Sequence, residues 1–203
     1  EPENIAYNLH LALRIQGSCD HKMLQNALDI LLKRHTQLRS AYPLEADTVR
    51  KKIVELADLS DYFTVVDATN WSESALQADF ANRIRKPFDL NAAPLLQVTC
   101  YRRGKECQIL LFCMHHIIID LSASLVLFKE LKSILGDLTF LQLKKGQSLT
   151  DYQKFVGWQQ AYLASTRGNL DRDYWLQQLS GTLPVLAMPT DYLRPLVSQY
   201  RGA

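Results

Sequence analysis

A chain of 203 residues, 47% hydrophobic and 22% charged, has the composition of a globular protein and the length for one domain or two small ones. Its 23 basic and 21 acidic residues leave a formal charge of +2 with no basic stripe interleaved with aromatics, so nucleic acid is not an expected partner. No apolar run approaches the ~20 residues of a membrane span, so no membrane association is expected. The four cysteines (Cys19, Cys100, Cys107, Cys113) form no C-x-x-C pair, which disfavours a thiolate metal site and fits a reducing cytoplasm. The opening Glu-Pro-Glu-Asn does not read as a signal peptide.

Residues 8–16 alternate, with Leu9, Leu11, Leu13 and Ile15 on one face, and predict a half-buried strand. Asp20 is a candidate cap for a helix that carries Met23, Leu24, Ala27, Leu28, Leu31 and Leu32 and runs to about Arg34. Short strands are expected around 40–43, 49–56 and 63–67. Asn70, with Glu73 three positions later, predicts a capping box for a helix bearing Leu76, Phe80 and Ile84, ended by Pro87. Residues 95–102 alternate, 103–106 turn, and 107–114 are almost wholly apolar. This pattern predicts a hairpin whose second strand is central and covered on both faces. Ser122 is the expected cap of a helix whose apolar side is Leu125, Phe128, Leu131 and Leu135. A loop at 136–149, helices at 150–163 and 171–179, and an irregular tail with prolines at 184, 189 and 195 complete the chain. Strands and helices intermix, so the fold class is α/β or α+β.

One run concentrates polar groups in apolar surroundings: Cys113-Met114-His115-His116-Ile117-Ile118-Ile119-Asp120-Leu121-Ser122. Imidazole and carboxylate are costly there without partners. A histidine at the end of a buried strand can act as a base or donate a hydrogen bond to a reacting group. An aspartate four positions on can brace it. No G-x-S-x-G is present, which favours direct transfer between two bound substrates over a covalent enzyme intermediate. On spacing alone, a structural or loosely metal-binding pair stands level with a catalytic one, and a zinc site lacks a third nearby ligand.

Segments far apart in the chain decide between these readings. His115–Leu121 is similar to the HHxxxDG motif of nonribosomal peptide synthetase condensation domains, and Arg34-His35-Thr36-Gln37-Leu38-Arg39-Ser40 to their RHxxLR motif. Pro87-Phe88-Asp89-Leu90 followed by Pro94-Leu95-Leu96 resembles the PFDL and PLL stretch. Trp158-Gln159, Tyr174-Trp175, Pro189-Thr190-Asp191 and Tyr200-Arg201-Gly202 follow in the family's order. The resemblance implies a chloramphenicol acetyltransferase-like lobe, a two-layer sandwich of mixed sheet and helices. It would span residues 1–180, with 181–203 an extended segment leading toward a missing C-terminal lobe.

The resemblance further implies amide-bond formation between a donor acyl or peptidyl thioester and an aminoacyl acceptor. Both arrive on 4′-phosphopantetheine arms of carrier domains, with no cofactor bound directly. His116 matches the catalytic second histidine, and His115 packs and hydrogen-bonds inward. Asp120 is the structural aspartate, with Arg39 its expected arginine partner and Arg34 the second choice. Leu121 and Ser122 fall beside the acceptor channel as substrate-binding positions. Leu121 stands where the family has glycine, giving up that residue's unusual φ/ψ and filling its space. The D-x-x-x-x-D pattern of heterocyclisation members is absent, as is the tryptophan of epimerisation members. Expected partners are the carrier domains, the C-terminal lobe and neighbouring adenylation or polyketide modules. The alternatives are a condensation-like docking module that has lost catalysis, and a free-standing H-x-x-x-D acyltransferase using coenzyme A thioesters.

Overall fold

In the computed structural model, residues 4–16, 20–59, 61–104, 107–136, 152–186, 188–189 and 191–192 are described. The chain divides into two compact units, 1–149 and 150–203.

The first unit is built on a four-stranded mixed sheet in the order β1(Asn8–Gln16), β8(Cys107–His115), β7(Leu96–Arg102), β6(Phe63–Asp67). β8 pairs antiparallel with β1 on one side, placing Asn8 opposite His115, and with β7 on the other, placing Leu96 opposite Met114. β6 and β7 are parallel and joined through α2(Glu73–Ile84). The predicted hairpin with a central second strand is therefore β7–β8. Its apolar run follows from burial on both faces. Leu110, Phe112 and Met114 join the core beneath α1(His21–Arg34) and α3(Leu121–Gly136). Ile109, Leu111 and Cys113 pack with Leu76 and Phe80 of α2. His115 ends the strand on this second parity.

Asp20 caps α1, accepting from Lys22 N at 3.2 Å. The capping box expected from Asn70 is not formed. Ser72 caps α2, accepting from Ala75 N at 3.1 Å, and Glu73 turns instead to Gln77 and Arg103. The apolar stripe of α3 is also shifted. Ser124, Leu127, Leu131 and Ile134 are buried, whereas Leu125 is 65% exposed. This helix is apolar nearly all round, so periodicity admits more than one stripe; packing beside α1 selects the observed one. Phe128 still reaches the core, edge-on to Phe112 at 5.0 Å.

The expected strands at 40–43 and 49–56 reduce to two-residue pieces. β2(Ser40–Ala41) pairs with β5(Lys52–Ile53), and β3(Leu44–Glu45) with β4(Thr48–Val49). Between β3 and β4, Ala46 and Asp47 both have positive φ, the requirement of a tight two-residue hairpin. Beyond Gly136, the expected loop at 136–149 lies outside the described residues.

The second unit contains α4(Tyr152–Leu163) and α5(Thr166–Gln178). α5 starts earlier than the expected 171 because Ser165 caps it, accepting from Gly168 N at 3.1 Å. Among the described residues no helix is long and apolar enough to cross a membrane.

Candidate active site

β8 ends in a turn over His115–Ile118, and backbone bonds hold it at both ends. His115 N donates to Leu95 O at 3.0 Å, His116 N to Tyr7 O at 2.8 Å, and Ile118 N to His115 O at 3.1 Å. The His115 ring is almost fully buried, with Tyr7 6.1 Å and Phe88 6.4 Å away between ring centroids. Its Nδ1 accepts from Ile117 N at 3.1 Å, which leaves the neutral ring's proton on Nε2. Burial, and secondarily the neighbouring His116, push the His115 pKa below its ordinary value, so this imidazole is neutral at pH 7.

His116 is exposed, and its ring makes no hydrogen bond among the described residues. Both histidines line an open pocket of about 960 Å³. Asn4, Tyr7, Tyr42, Leu44, Val49, Phe88 and Leu90 also line it. An imidazole held on an anchored turn, with its ring nitrogens free, can accept, donate or steer a proton.

Asp120 takes a different partner from the one expected. Its Oδ1 accepts from Ala123 N at 2.7 Å, and its carbonyl accepts from Ser124 N at 2.9 Å and Ser124 Oγ at 2.7 Å. Asp120 is thus the N-cap of α3, displacing Ser122, which is exposed within the first turn. Arg39 is not placed on Asp120. Its guanidinium is buried, with Nε donating to Leu32 O at 2.8 Å and the other arm to Val54 O, tying the end of α1 to β5. Arg34 is committed elsewhere as well. Glu130 Oε2 accepts from Arg34 and from His35 Nε2, each at 3.0 Å, linking α3 to the end of α1. Burial raises the Glu130 pKa, but His35 and Arg34 together outweigh it and hold the carboxyl below its ordinary value. Leu121 is 75% exposed and is the first helical residue of α3, without a positive φ. The backbone freedom of a glycine is therefore not needed there.

Sequence reasoning missed the pocket's other walls. The sequence pattern singles out neither Tyr7 nor Tyr42, and Phe88 stands only as part of the PFDL-like stretch and Gln37 as a variable place inside a motif. Gln37 Nε2 donates to Ile117 O at 3.3 Å and to the Tyr42 hydroxyl, while Gln37 Oε1 accepts from Lys51 Nζ at 2.6 Å.

The model of the condensation-domain family matches residues 1–203, the whole chain. The chain belongs to this family. Surfactin synthase subunit 1 of Bacillus subtilis (strain 168) is 30% identical over 203 residues, covering 100% of this chain and 5% of that protein. Gramicidin S synthase 2 of Brevibacillus brevis is 31% identical, covering 98% of the chain and 4% of its own length. The chain thus spans a small part of the curated relatives it matches. Two solved structures share the fold. A variant of the starter condensation domain of rhizomide synthetase superposes with a TM-score of 0.77 at 18% identity, over 88% of this chain and 44% of that one. A four-domain nonribosomal peptide synthetase bound to AMP and glycine superposes with a TM-score of 0.75 at 22% identity, over 100% and 15%. The α/β lobe is accordingly the chloramphenicol acetyltransferase-like lobe of condensation domains.

Proposed function

We propose that this condensation domain joins two carrier-bound substrates through an amide bond, with His116 at the reacting centre. The acceptor's α-amine attacks the donor thioester carbonyl, so a C–N bond forms and the C–S bond breaks. The departing sulfur of the donor's phosphopantetheine arm gains a proton, and the amine loses one. An α-ammonium has a pKa of roughly 8, so orienting the amine and stabilising the tetrahedral centre contribute alongside proton removal. The observation that carries this reading is the exposed His116 imidazole, fixed on a bonded turn and lining an open pocket, its ring without a hydrogen-bond partner among the described residues.

The other residues take supporting roles. Neutral His115 fixes the turn from beneath, and Asp120 shapes it by starting α3. Leu121 and Ser122 stand at the acceptor side, where the leucine adds volume. The partners are carrier domains and neighbouring adenylation or polyketide modules of a cytoplasmic synthetase, together with the C-terminal lobe. The exposed Leu121 also favours a second reading, a docking module without catalysis. The test is a complete condensation domain containing this chain, assayed for amide product with loaded carrier domains. His116→Ala is expected to remove product by at least about a hundredfold, within the usual range for a general acid–base residue. Equal product from both proteins would leave only the docking module.

A further inference from the structure

The turn that carries His116 is held from two directions. Tyr7, just before β1, and His115, at the end of β8, fix it from the sheet side. The other hold comes from a residue 80 positions away in the chain, Gln37, on the short 3-10 helix Thr36–Arg39. Resting on the acyl-transfer reading above, we propose that Gln37 is a positioning residue for His116, a fixed amide that ties the turn to Tyr42, another residue of the pocket lining.

The orientation of this amide is determined by its partners. A lysine ammonium can only donate, so the oxygen of Gln37 must face Lys51 Nζ, 2.6 Å away. The NH2 group then faces two acceptors, the Ile117 carbonyl at 3.3 Å and the Tyr42 hydroxyl. Both NH2 hydrogens are thereby used. Tyr42 lines the same pocket as His116 and Ile117, whereas Gln37 itself does not. Gln37 therefore acts through its neighbours rather than by touching substrate. The Ile117 carbonyl is held by Gln37, and the Ile117 N–H by His115, so the residue after His116 is clamped on both of its backbone groups. The bracing expected from an Asp120–arginine pair is supplied here by a neutral amide from another layer of the fold.

Three substitutions separate this role from packing. Gln37→Glu keeps the shape and an acceptor for Lys51 but cannot donate to Ile117. Gln37→Met keeps only the shape, and Lys51→Met leaves the amide free to turn. In the complete condensation domain, Gln37→Glu and Gln37→Met are expected to lower kcat about 10- to 100-fold, the scale of a small misplacement of a reacting group, with KM for both loaded carriers within about threefold. Lys51→Met is expected to fall between these variants and the parent. Amide hydrogen exchange supplies a readout independent of activity: Gln37→Glu should speed exchange at His116, Ile117 and Ile118 while leaving β7 unchanged. Full activity in Gln37→Glu, a loss carried by KM alone, or unchanged exchange in the turn would each overturn the proposal. A parent protein that forms no amide, or one indifferent to His116→Ala, would instead sink the acyl-transfer reading, and the exchange measurement would still decide whether Gln37 holds the turn.

Discussion

Asp120 is exposed, and its carboxylate is used at the start of α3 rather than in a desolvated ion pair. The two arrangements predict different energies. Losing an N-cap costs about 0.5–2 kcal/mol, whereas breaking a buried ion pair from one side costs about 3–5 kcal/mol. Asp120→Ala is therefore expected to lower unfolding free energy by about 1 kcal/mol in urea titration, with Asp120→Asn recovering most of it, because asparagine caps comparably well. A loss near 4 kcal/mol would mean that the carboxylate has a charged partner after all. His115 gives a second expectation at this scale. Its folded pKa lies below its ordinary value, so on acidification the unfolded chain takes up the proton first. The neutral buried ring thus contributes fully above about pH 6.5, and that contribution is lost as pH falls through the folded pKa. His115→Asn keeps an acceptor for Ile117 N but does not titrate. The difference between the urea midpoints of parent and variant is expected to change between pH 7.5 and 5, narrowing as the parent weakens. Parallel pH profiles would assign the acid sensitivity to other groups.

At the scale of elements, the corner between α4 and α5 is constrained most tightly. A Cβ on Gly168 would lie 2.3 Å from Tyr162 O and 2.9 Å from both Leu163 Cα and Leu163 O. These are backbone atoms, which no rotamer change can move aside. Gly168→Ala is expected to destabilise the corner by about 1–3 kcal/mol, as overpacking does, and to speed amide exchange across residues 152–178. Unchanged protection there would show that the corner can open without cost. The elements legible in the sequence are those with one unambiguous period: β1 by alternation, α1 and α2 by a single apolar stripe, β7–β8 by a turn between apolar runs. α3 was legible as a helix but not in its facing, because leucines surround it and only packing beside α1 chooses the buried side. The start of α2 misled because Asn70 and Ser72 are both competent caps, and the choice depends on where helical backbone begins. The two-residue strands have too few positions to show any period.

At the scale of the whole molecule, the His115-His116-x-x-x-Asp120 run was readable as chemistry, and ordered motifs far along the chain gave it a family. Its surroundings were not readable, because Tyr7, Tyr42 and Phe88 come to line the histidines' pocket, and Gln37 to reach the Ile117 carbonyl, only through the tertiary fold. The same geometry bears on activity. His116 is exposed, Ile117 is 39% exposed, and Leu121, Leu125 and Val126 on the following helix are 75%, 65% and 52% exposed. In such a wet site, charge–charge and hydrogen-bond effects on a developing oxyanion are weakened by the high dielectric, and water competes with the amine for the thioester. The chain corresponds to 44% of the rhizomide synthetase condensation domain chain that shares its fold, so more than half of such a chain has no counterpart here. The 203-residue chain alone is therefore expected to form amide at no more than the His116→Ala background of the complete domain, and adding the remaining length should restore product without new substitutions in this lobe. The check is a side-by-side assay of the two proteins with the same loaded carriers, scoring both amide and hydrolysed donor. Amide formation by the isolated chain at the rate of the complete domain would show that this lobe's pocket suffices to exclude water and hold both substrates.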